Sequence, residues 1–297
     1  MLAPFLLMRL TRRSPCKINL LLNILGRRPD GFHELETVFQ PVNLWDELEF
    51  ERGRPGVVMT CNHPELPTDA SNLVVRAARA FLAKASPREG VRIHLEKKIP
   101  LAAGLGGGSG NAAATLLGLN DLFGGPLAMP QLQLVATQLG SDVPFFLQPK
   151  PALGIGRGER IEPLDFFPAL GGAFVLLIHP GFGVSTAWAY QQLARFPAAL
   201  HGQPGRAQRL VELLQSADLT TAGPAFYNSL EAPVFEKYPL LAMFQEQLRE
   251  QGAGATLMSG SGSTTFALAA DRPAGEALRD RFQAKFGESH WTAVVGI

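Results

Sequence analysis

The sequence predicts an α+β fold in two domains, 1–164 and 165–297. Three observations predict it. Strand and helix patterns are mixed without the strict alternation of a doubly wound parallel sheet. A run with four glycines in five positions, Gly104 to Gly108, feeds an alanine- and leucine-rich helix. Beyond about Leu164 the texture changes to helices with polar loops around a second glycine-serine run. A chain of 297 residues suits one large or two ordinary domains.

The elements follow in order. Residues 14–25 alternate, with Lys17, Asn19, Leu21 and Asn23 on one face and Ile18, Leu20, Leu22 and Ile24 on the other. This is a strand with one apolar face to bury and one polar face. Pro29-Asp30-Gly31 is a turn signal, and 34–42 reads as the returning strand. Short strands are expected at 46–50 and 56–61. A helix with a capping residue at its start runs over 71–82, then a strand over 91–96. The helix after the glycine run extends to about Phe123. Another covers 130–139, stopped by Gly140. A glycine-rich turn is expected over 154–160, a strand over 173–179, and helices over 185–194, within 196–223 and over 239–252. Strands at 256–259 and 264–269 flank the second glycine-serine loop. A helix over 274–286 and a strand over 291–295 close the pattern.

Composition narrows the function. The chain is 46% hydrophobic and 18% charged, with 27 basic and 26 acidic residues. That balance supports a substantial core and argues against disorder and against a dedicated nucleic-acid binder. A small-molecule partner fits better. Two cysteines, Cys16 and Cys61, make no disulfide framework, so a reducing, cytoplasmic setting is expected. The most apolar stretch, 167–178, is too short to span a bilayer. The apolar Met1–Leu7 segment has no basic region ahead of it. It reads as a short extension, with Met8 an alternative start.

A glycine loop opening a helix is an anion site. The first N–H groups of the helix lack intrahelical partners, and the positive end of its dipole points the same way. A phosphate chain is the expected anion. The look-alikes fail: there is no Gly-Lys pair for a P-loop, Gly-x-Gly-x-x-Gly breaks at Ser109, and His-Arg-Asp and Asp-Phe-Gly are absent. The plainer alternative is a flexible loop ending in Ser109 as a helix N-cap.

Other side chains carry chemistry with a plain alternative beside each. Lys17, beside Asn19, is either a lysine pinned against an anion or an edge-strand lysine that discourages aggregation. Asp142, ahead of Val-Pro-Phe-Phe-Leu, is either a general base partly enclosed by Phe145 and Phe146 or a turn cap. With Lys17 as its partner it would stay ionised at neutral pH. His33, beside Phe32, is either a surface histidine or part of a platform for a planar base. Residues 259–265 form either a hairpin turn or a second phosphate-facing nest. His63 and Cys61 lie close in sequence, but nothing completes a metal site.

Pro15-Cys16-Lys17-Ile18-Asn19-Leu20, Pro29-Asp30-Gly31-Phe32-His33-Glu34-Leu35, Ser71-Asn72-Leu73-Val74-Val75-Arg76-Ala77-Ala78, the Gly104–Asn111 loop, Gly140-Ser141-Asp142-Val143-Pro144-Phe145-Phe146 and Ser259-Gly260-Ser261-Gly262-Ser263 occur in one order. From about residue 12 to the C-terminus this order resembles the 4-diphosphocytidyl-2-C-methyl-D-erythritol kinase family of the GHMP kinase superfamily. The glycine loop specifies the superfamily, and the segment around His33 specifies the branch. The resemblance implies a ribosomal protein S5 domain 2-like N-terminal domain and a ferredoxin-like C-terminal domain. It implies ATP-dependent phosphorylation of the 2-hydroxyl of a cytidine-diphosphate-linked methylerythritol, a step of the non-mevalonate isoprenoid pathway.

By the same resemblance Asp142 and Lys17 are catalytic. Gly104, Leu105, Gly106, Gly107, Gly108, Ser109 and Gly110 cradle the ATP phosphates, with Mg²⁺ held chiefly by phosphates and water. Asn72 and Lys97 lie near the adenine. Asn19, Phe32, His33 and Phe182 meet the substrate, with His33 reading the cytosine between the rings of Phe32 and Phe182. The implied enzyme is a monomer or homodimer acting on small molecules, with no nucleic-acid or membrane partner. Two departures stand out. Phe32 replaces the family's usual Tyr, and Gly110 its usual Ser, each removing a hydroxyl. Cys16 replaces a usual Ala without a functional account. The alternatives are another GHMP kinase, of homoserine or mevalonate type, and a nucleotide-binding sensor without turnover.

Overall fold

The computed structural model describes residues 8–297; the expected Met1–Leu7 extension lies outside them. The chain divides into two compact units, each discontinuous in sequence. One comprises the residues up to Cys16, Leu44–Ile99 and Gly106–Pro149, and the other Lys17–Asn43, Pro100–Leu105 and Lys150–Ile297. Strand β1 (Arg9–Arg27) begins in the first unit and continues in the second, and β2 (His33–Gly53) does the reverse.

The strands expected at 34–42 and 46–50 are one strand, β2. Its residues Leu35–Phe39 serve one antiparallel ladder and Glu47–Gly53 another. Pro41 falls between these two ladders, where its missing N–H interrupts neither. The polar face expected for β1 turns inward. Lys17, Asn19, Leu21 and Asn23 are as buried as the apolar face, at 3, 2, 0 and 0% exposure. Buried polar groups of this kind require internal hydrogen-bond partners.

In the first unit β3 (Val57–Cys61) runs parallel to β4 (Gly90–Glu96), which pairs antiparallel with Glu47–Gly53 of β2. Helix α1 (Leu73–Ala85) connects β3 to β4. Asn72 caps it, with Oδ1 accepting the Val74 N–H at 2.9 Å. Helix α2 (Gly107–Leu122) buries Ala112, Ala113, Leu116, Leu119 and Leu122 and packs on α1 and on α3 (Met129–Leu139). It is apolar on nearly every side, as a central core helix must be. Gly140 ends α3, and a buried 3₁₀ turn, Pro144–Leu147, follows.

In the second unit β5 (Ala152–Gly156) pairs with β2 and with β6 (Arg160–Pro163). Next come β7 (Phe174–His179), α4 (Thr186–Gln192), α5 (Pro197–Leu200), α6 (Arg206–Ser216) and α7 (Leu219–Ala222). They are followed by β8 (Tyr227–Asn228), α8 (Glu231–Lys237), α9 (Pro239–Glu250), β9 (Ala255–Met258), β10 (Thr265–Ala269), α10 (Arg272–Phe286) and β11 (Trp291–Gly296). Four of these strands make an antiparallel sheet in the order β11-β7-β10-β9. With α9 before β9 and α10 before β11, this is the ferredoxin-like arrangement. Its core joins Leu176, Ile178, Leu241, Phe244, Leu248 and Phe282. The sequence pattern gave no sign of β8 or α8. Two residues of strand carry no periodicity, and α8 has a proline near its start. Among the described residues no helix is long and apolar enough to cross a membrane.

Candidate active site

The glycine run divides its work. Gly106, at φ +69°, is the N-cap of α2, and Ser109 lies within the first turn. The alternative of Ser109 as the cap is therefore wrong, because a left-handed backbone at the cap selects glycine. The first helical bond goes from Gly110 N–H to Gly106 O at 2.8 Å. The N–H groups of Gly107, Gly108 and Ser109 precede it and have no carbonyl of their own helix to bond. No acidic residue stands in that first turn, so the positive end of the dipole is not offset there. Gly108 is exposed, and only Leu73 comes within 4 Å of a Cβ built on it.

The missing side chain at Gly110 has an internal cause. A Cβ there would stand 2.7 Å from Pro15 O and 3.0 Å from Ser14 Oγ. A serine would drive α2 away from β1, so this chain gives up a hydroxyl in order to pack the helix closely.

Beneath the start of α2 lies a carboxylate the sequence reading passed over. Asp46 on β2 is fully buried. It pairs with Lys97 Nζ and accepts the N–H groups of Lys98 and Ile99 at 2.8 and 2.9 Å. It also accepts Asn111 Nδ2 of α2 at 2.9 Å. A Cβ on Gly107 would come 2.9 Å from Lys97 Nζ, so the ammonium lies directly under the loop. Of the two adenine candidates, Lys97 is thus a buried ion-paired residue. Asn72 spends both ends of its amide on the chain, donating to Pro67 O at 2.6 Å besides capping α1. Asp142 is half-buried, in the turn between Gly140 and the 3₁₀ segment. The rings of Phe145 and Phe146 are buried edge to face, 5.0 Å apart.

The second unit holds the other candidates. Lys17 Nζ donates to Asn19 Oδ1 at 2.6 Å and to Gly104 O at 3.2 Å. Asn19 donates to Thr37 Oγ1 at 2.8 Å, and Thr37 donates to Leu21 O at 2.6 Å. The chain therefore locks Lys17 and Asn19 into one network. The Lys17 N–H also bonds Leu105 O at 3.0 Å. The second glycine-serine loop clasps the first: Ser259 Oγ donates to Gly104 O at 3.0 Å and Thr264 N–H to Ala103 O at 3.1 Å. Gly104, at φ +77°, has Ser259 O 2.1 Å from where a Cβ would lie. Residues 259–264 are thus a brace for the loop at 103–105.

His33 opens β2, half-buried, with the Tyr190 ring 5.0 Å away. Burial, aided by the charge of Arg27, lowers its pKa. The shift favours the neutral imidazole, which offers one donor and one acceptor. Phe32 is 53% exposed and lies under the Arg157 guanidinium at 4.6 Å. Phe182 stacks on Tyr238 at 4.9 Å. Both cysteines are free. Among the described residues no three His, Cys, Asp or Glu side chains group as a metal site.

Glu231 supports the brace from below. Its Oε1 accepts the Met258 N–H at 2.8 Å and Gln245 Nε2 at 2.6 Å. Burial pushes its pKa up to about 7, against the opposing pull of those hydrogen bonds and of Arg249. A carboxyl whose pKa rises on folding favours the folded state most while protonated. That contribution is lost as pH rises from its ordinary value of 4.5 through about 7. Glu231→Gln should therefore gain Tm relative to wild type between pH 5 and pH 8. Parallel pH–Tm curves would exclude the shift.

A GHMP kinase is what this cradle and sheet order define. The model of the GHMP kinases N terminal domain matches residues 72–149, and that of the GHMP kinases C terminal matches 206–288. A 4-diphosphocytidyl-2-C-methyl-D-erythritol kinase of Synechococcus sp. (strain JA-3-3Ab) is 42% identical over 92% of this chain and 89% of its own length. A crystal structure of 4-(cytidine 5'-diphospho)-2C-methyl-D-erythritol kinase superposes with TM-score 0.78 and 34% identity, covering 97% of this chain and all of that one. The homoserine kinase of Cytophaga hutchinsonii ATCC 33406 reaches the same TM-score at 20% identity, covering 100% of this chain and 97% of its own, a likeness of fold alone. The chain belongs to the 4-diphosphocytidyl-2-C-methyl-D-erythritol kinase family.

Proposed function

We propose that this enzyme transfers the γ-phosphate of ATP to the 2-hydroxyl of 4-diphosphocytidyl-2-C-methyl-D-erythritol. The observation that carries the phosphate half is the start of α2: three leading N–H groups, no acid in the first turn, and an open Gly108. The acceptor half is supported by kinship with relatives of that name at about 40% identity.

Phosphoryl transfer asks the protein for positioning and charge neutralisation more than for covalent chemistry. Gly107, Gly108 and Ser109 hold phosphate oxygens through their N–H groups, and Gly104, Leu105, Gly106 and Gly110 shape the backbone that aims them. Asn72 and Lys97 lie near the adenine and act by holding the backbone around it. Asp142 accepts the proton of the acceptor hydroxyl. Lys17, fixed by Asn19 and Gly104, offsets charge developing on the transferring oxygens. When bound, Mg²⁺ would supply charge neutralisation to the phosphates. Of this chain's residues, Ser109 would hold it through its hydroxyl.

Asn19 meets the substrate beside Lys17. Neutral His33 reads the edge of the cytosine, and Phe32 and Phe182 flank the ring. The loss of a hydroxyl at Phe32 leaves stacking intact. The family matches ending at 149 and resuming at 206 fit a functional division into 1–164 and 165–297. The two free cysteines fit a cytoplasmic enzyme.

A coupled ADP-release assay with the cytidylated methylerythritol, against homoserine and mevalonate, tests the reading. Turnover with either plain acceptor, or none with the cytidylated one, overturns it. His33→Ala should raise KM for the cytidylated substrate about tenfold, the worth of one lost hydrogen bond, and leave KM for ATP unchanged. An unchanged substrate KM removes His33 from the site.

A further inference from the structure

Strand β8 is two residues long, yet it joins two parts of the second unit. Tyr227 and Asn228 pair parallel with Leu21 and Leu22 of β1, the strand that carries Lys17 and Asn19. Ser229 secures the junction, its N–H bonding Leu22 O at 2.8 Å and its Oγ accepting the Ile24 N–H at 2.9 Å. The main chain at 228 is thereby fixed to the strand of the lysine.

The Asn228 side chain turns to the glycine-serine loop. It is 2% exposed. Its Nδ2 donates to Met258 O at 2.7 Å and to Gly260 O at 2.8 Å, and its Oδ1 accepts the Leu230 N–H at 2.9 Å. Two buried carbonyls that face one another need a donor between them, and leaving either unsatisfied is costly. Among uncharged side chains an amide offers two such hydrogens together with an acceptor.

The loop thus held lies against Lys17 and Asn19. A Cβ on Gly260 would lie 3.1 Å from Gly104 O, 3.4 Å from Lys17 Nζ and 3.5 Å from Asn19 Oδ1. Ser259, one residue earlier, bonds the same Gly104 carbonyl that accepts Lys17 Nζ. A shift of residues 259–260 would therefore move both the backbone beside the ammonium and one of its acceptors.

We propose that Asn228 is a positioning residue for phosphoryl transfer, setting Lys17 through the 258–260 loop. This rests on the role given to Lys17 above. Asn228→Asp is the informative change, since it keeps the shape and the acceptor for Leu230. It places a carboxylate oxygen against two carbonyl oxygens in place of the donor. The measurement is a double-mutant cycle in kcat with Lys17→Met, accompanied by KM for both substrates and by Tm.

Asn228→Asp alone should lower kcat about thirtyfold with both KM values within about threefold. In the Lys17→Met background the same change should cost less than about threefold, because residues acting as one unit are not additive. A merely structural loss would lower kcat equally in both backgrounds, and that result overturns the proposal while leaving Lys17 in its role. Wild-type kcat in Asn228→Asp also overturns it. Wild-type kcat in Lys17→Met overturns the role of Lys17 itself, and this proposal with it. If Asn228→Asp does not fold, Asn228→Ser, which keeps one donor, goes through the same cycle with the same criteria.

Discussion

Asp142→Ala should lower kcat by roughly 10²–10⁴-fold, the usual worth of a positioned general base. The affinity for ADP should stay within about threefold, because nothing in that side chain is asked to bind nucleotide. The local structure makes this separation clean. Asp142 stands in a turn held at one end by the stop of α3 at Gly140 and at the other by the buried 3₁₀ segment Pro144–Leu147. Its neighbours Val143, Phe145 and Phe146 anchor that backbone in the core, while Asp142 itself is half-buried. Truncation therefore removes a carboxylate without opening a large cavity. Asp142→Asn sharpens the test by keeping volume and losing the base. If either variant turns over at the wild-type rate, the proton goes elsewhere.

The sequence made the chemistry-bearing strand and loop legible, and the reason is local. Lys17 and Asn19 stood out because two polar residues two apart in an apolar strand have few explanations. The glycine run stood out because its density exceeds what a turn needs. What stayed hidden depends on contacts between distant residues. Gly104 and Gly110 read as room for a ligand, whereas Ser259 and the Ser14–Pro15 backbone crowd the places their side chains would take. Asp46 looked like one more strand residue, because its partners lie some 50 and 65 positions away. Asn228 sits in a strand too short for any pattern. Asn72 and Lys97 were assigned by resemblance, and only the fold reveals that each already serves the protein's own architecture. The ferredoxin-like sheet was legible strand by strand, but its order depends on which strands meet, and no single segment states that.

Asp46→Ala should be among the most damaging single changes in the first unit. The carboxylate is fully buried, and the Lys97 side chain that it pairs with is 4% exposed. Removing one member of a buried pair leaves the other charge without compensation, at a cost of about 3–5 kcal/mol. Here the loss is compounded, because the N–H groups of Lys98 and Ile99 and the Asn111 amide give up an acceptor together. Stabilities of whole domains run only to about 5–15 kcal/mol, so the variant should unfold far earlier in urea. Asp46→Asn keeps the shape and an acceptor oxygen but not the charge, and should recover part of the loss. Pairing Asp46→Ala with Lys97→Met should recover more, since the uncompensated ammonium is then gone. That rescue separates a charge pair from simple packing: if the double variant is no more stable than Asp46→Ala alone, the cost lies in the backbone hydrogen bonds and not in Lys97. Activity supplies a second reading, because the same carboxylate joins the segment at Lys98 and Ile99, just after β4, to α2 through Asn111. In Asp46→Asn, which keeps Lys97, KM for ATP should be raised, since Asn111 and the start of α2 then lose their charged anchor.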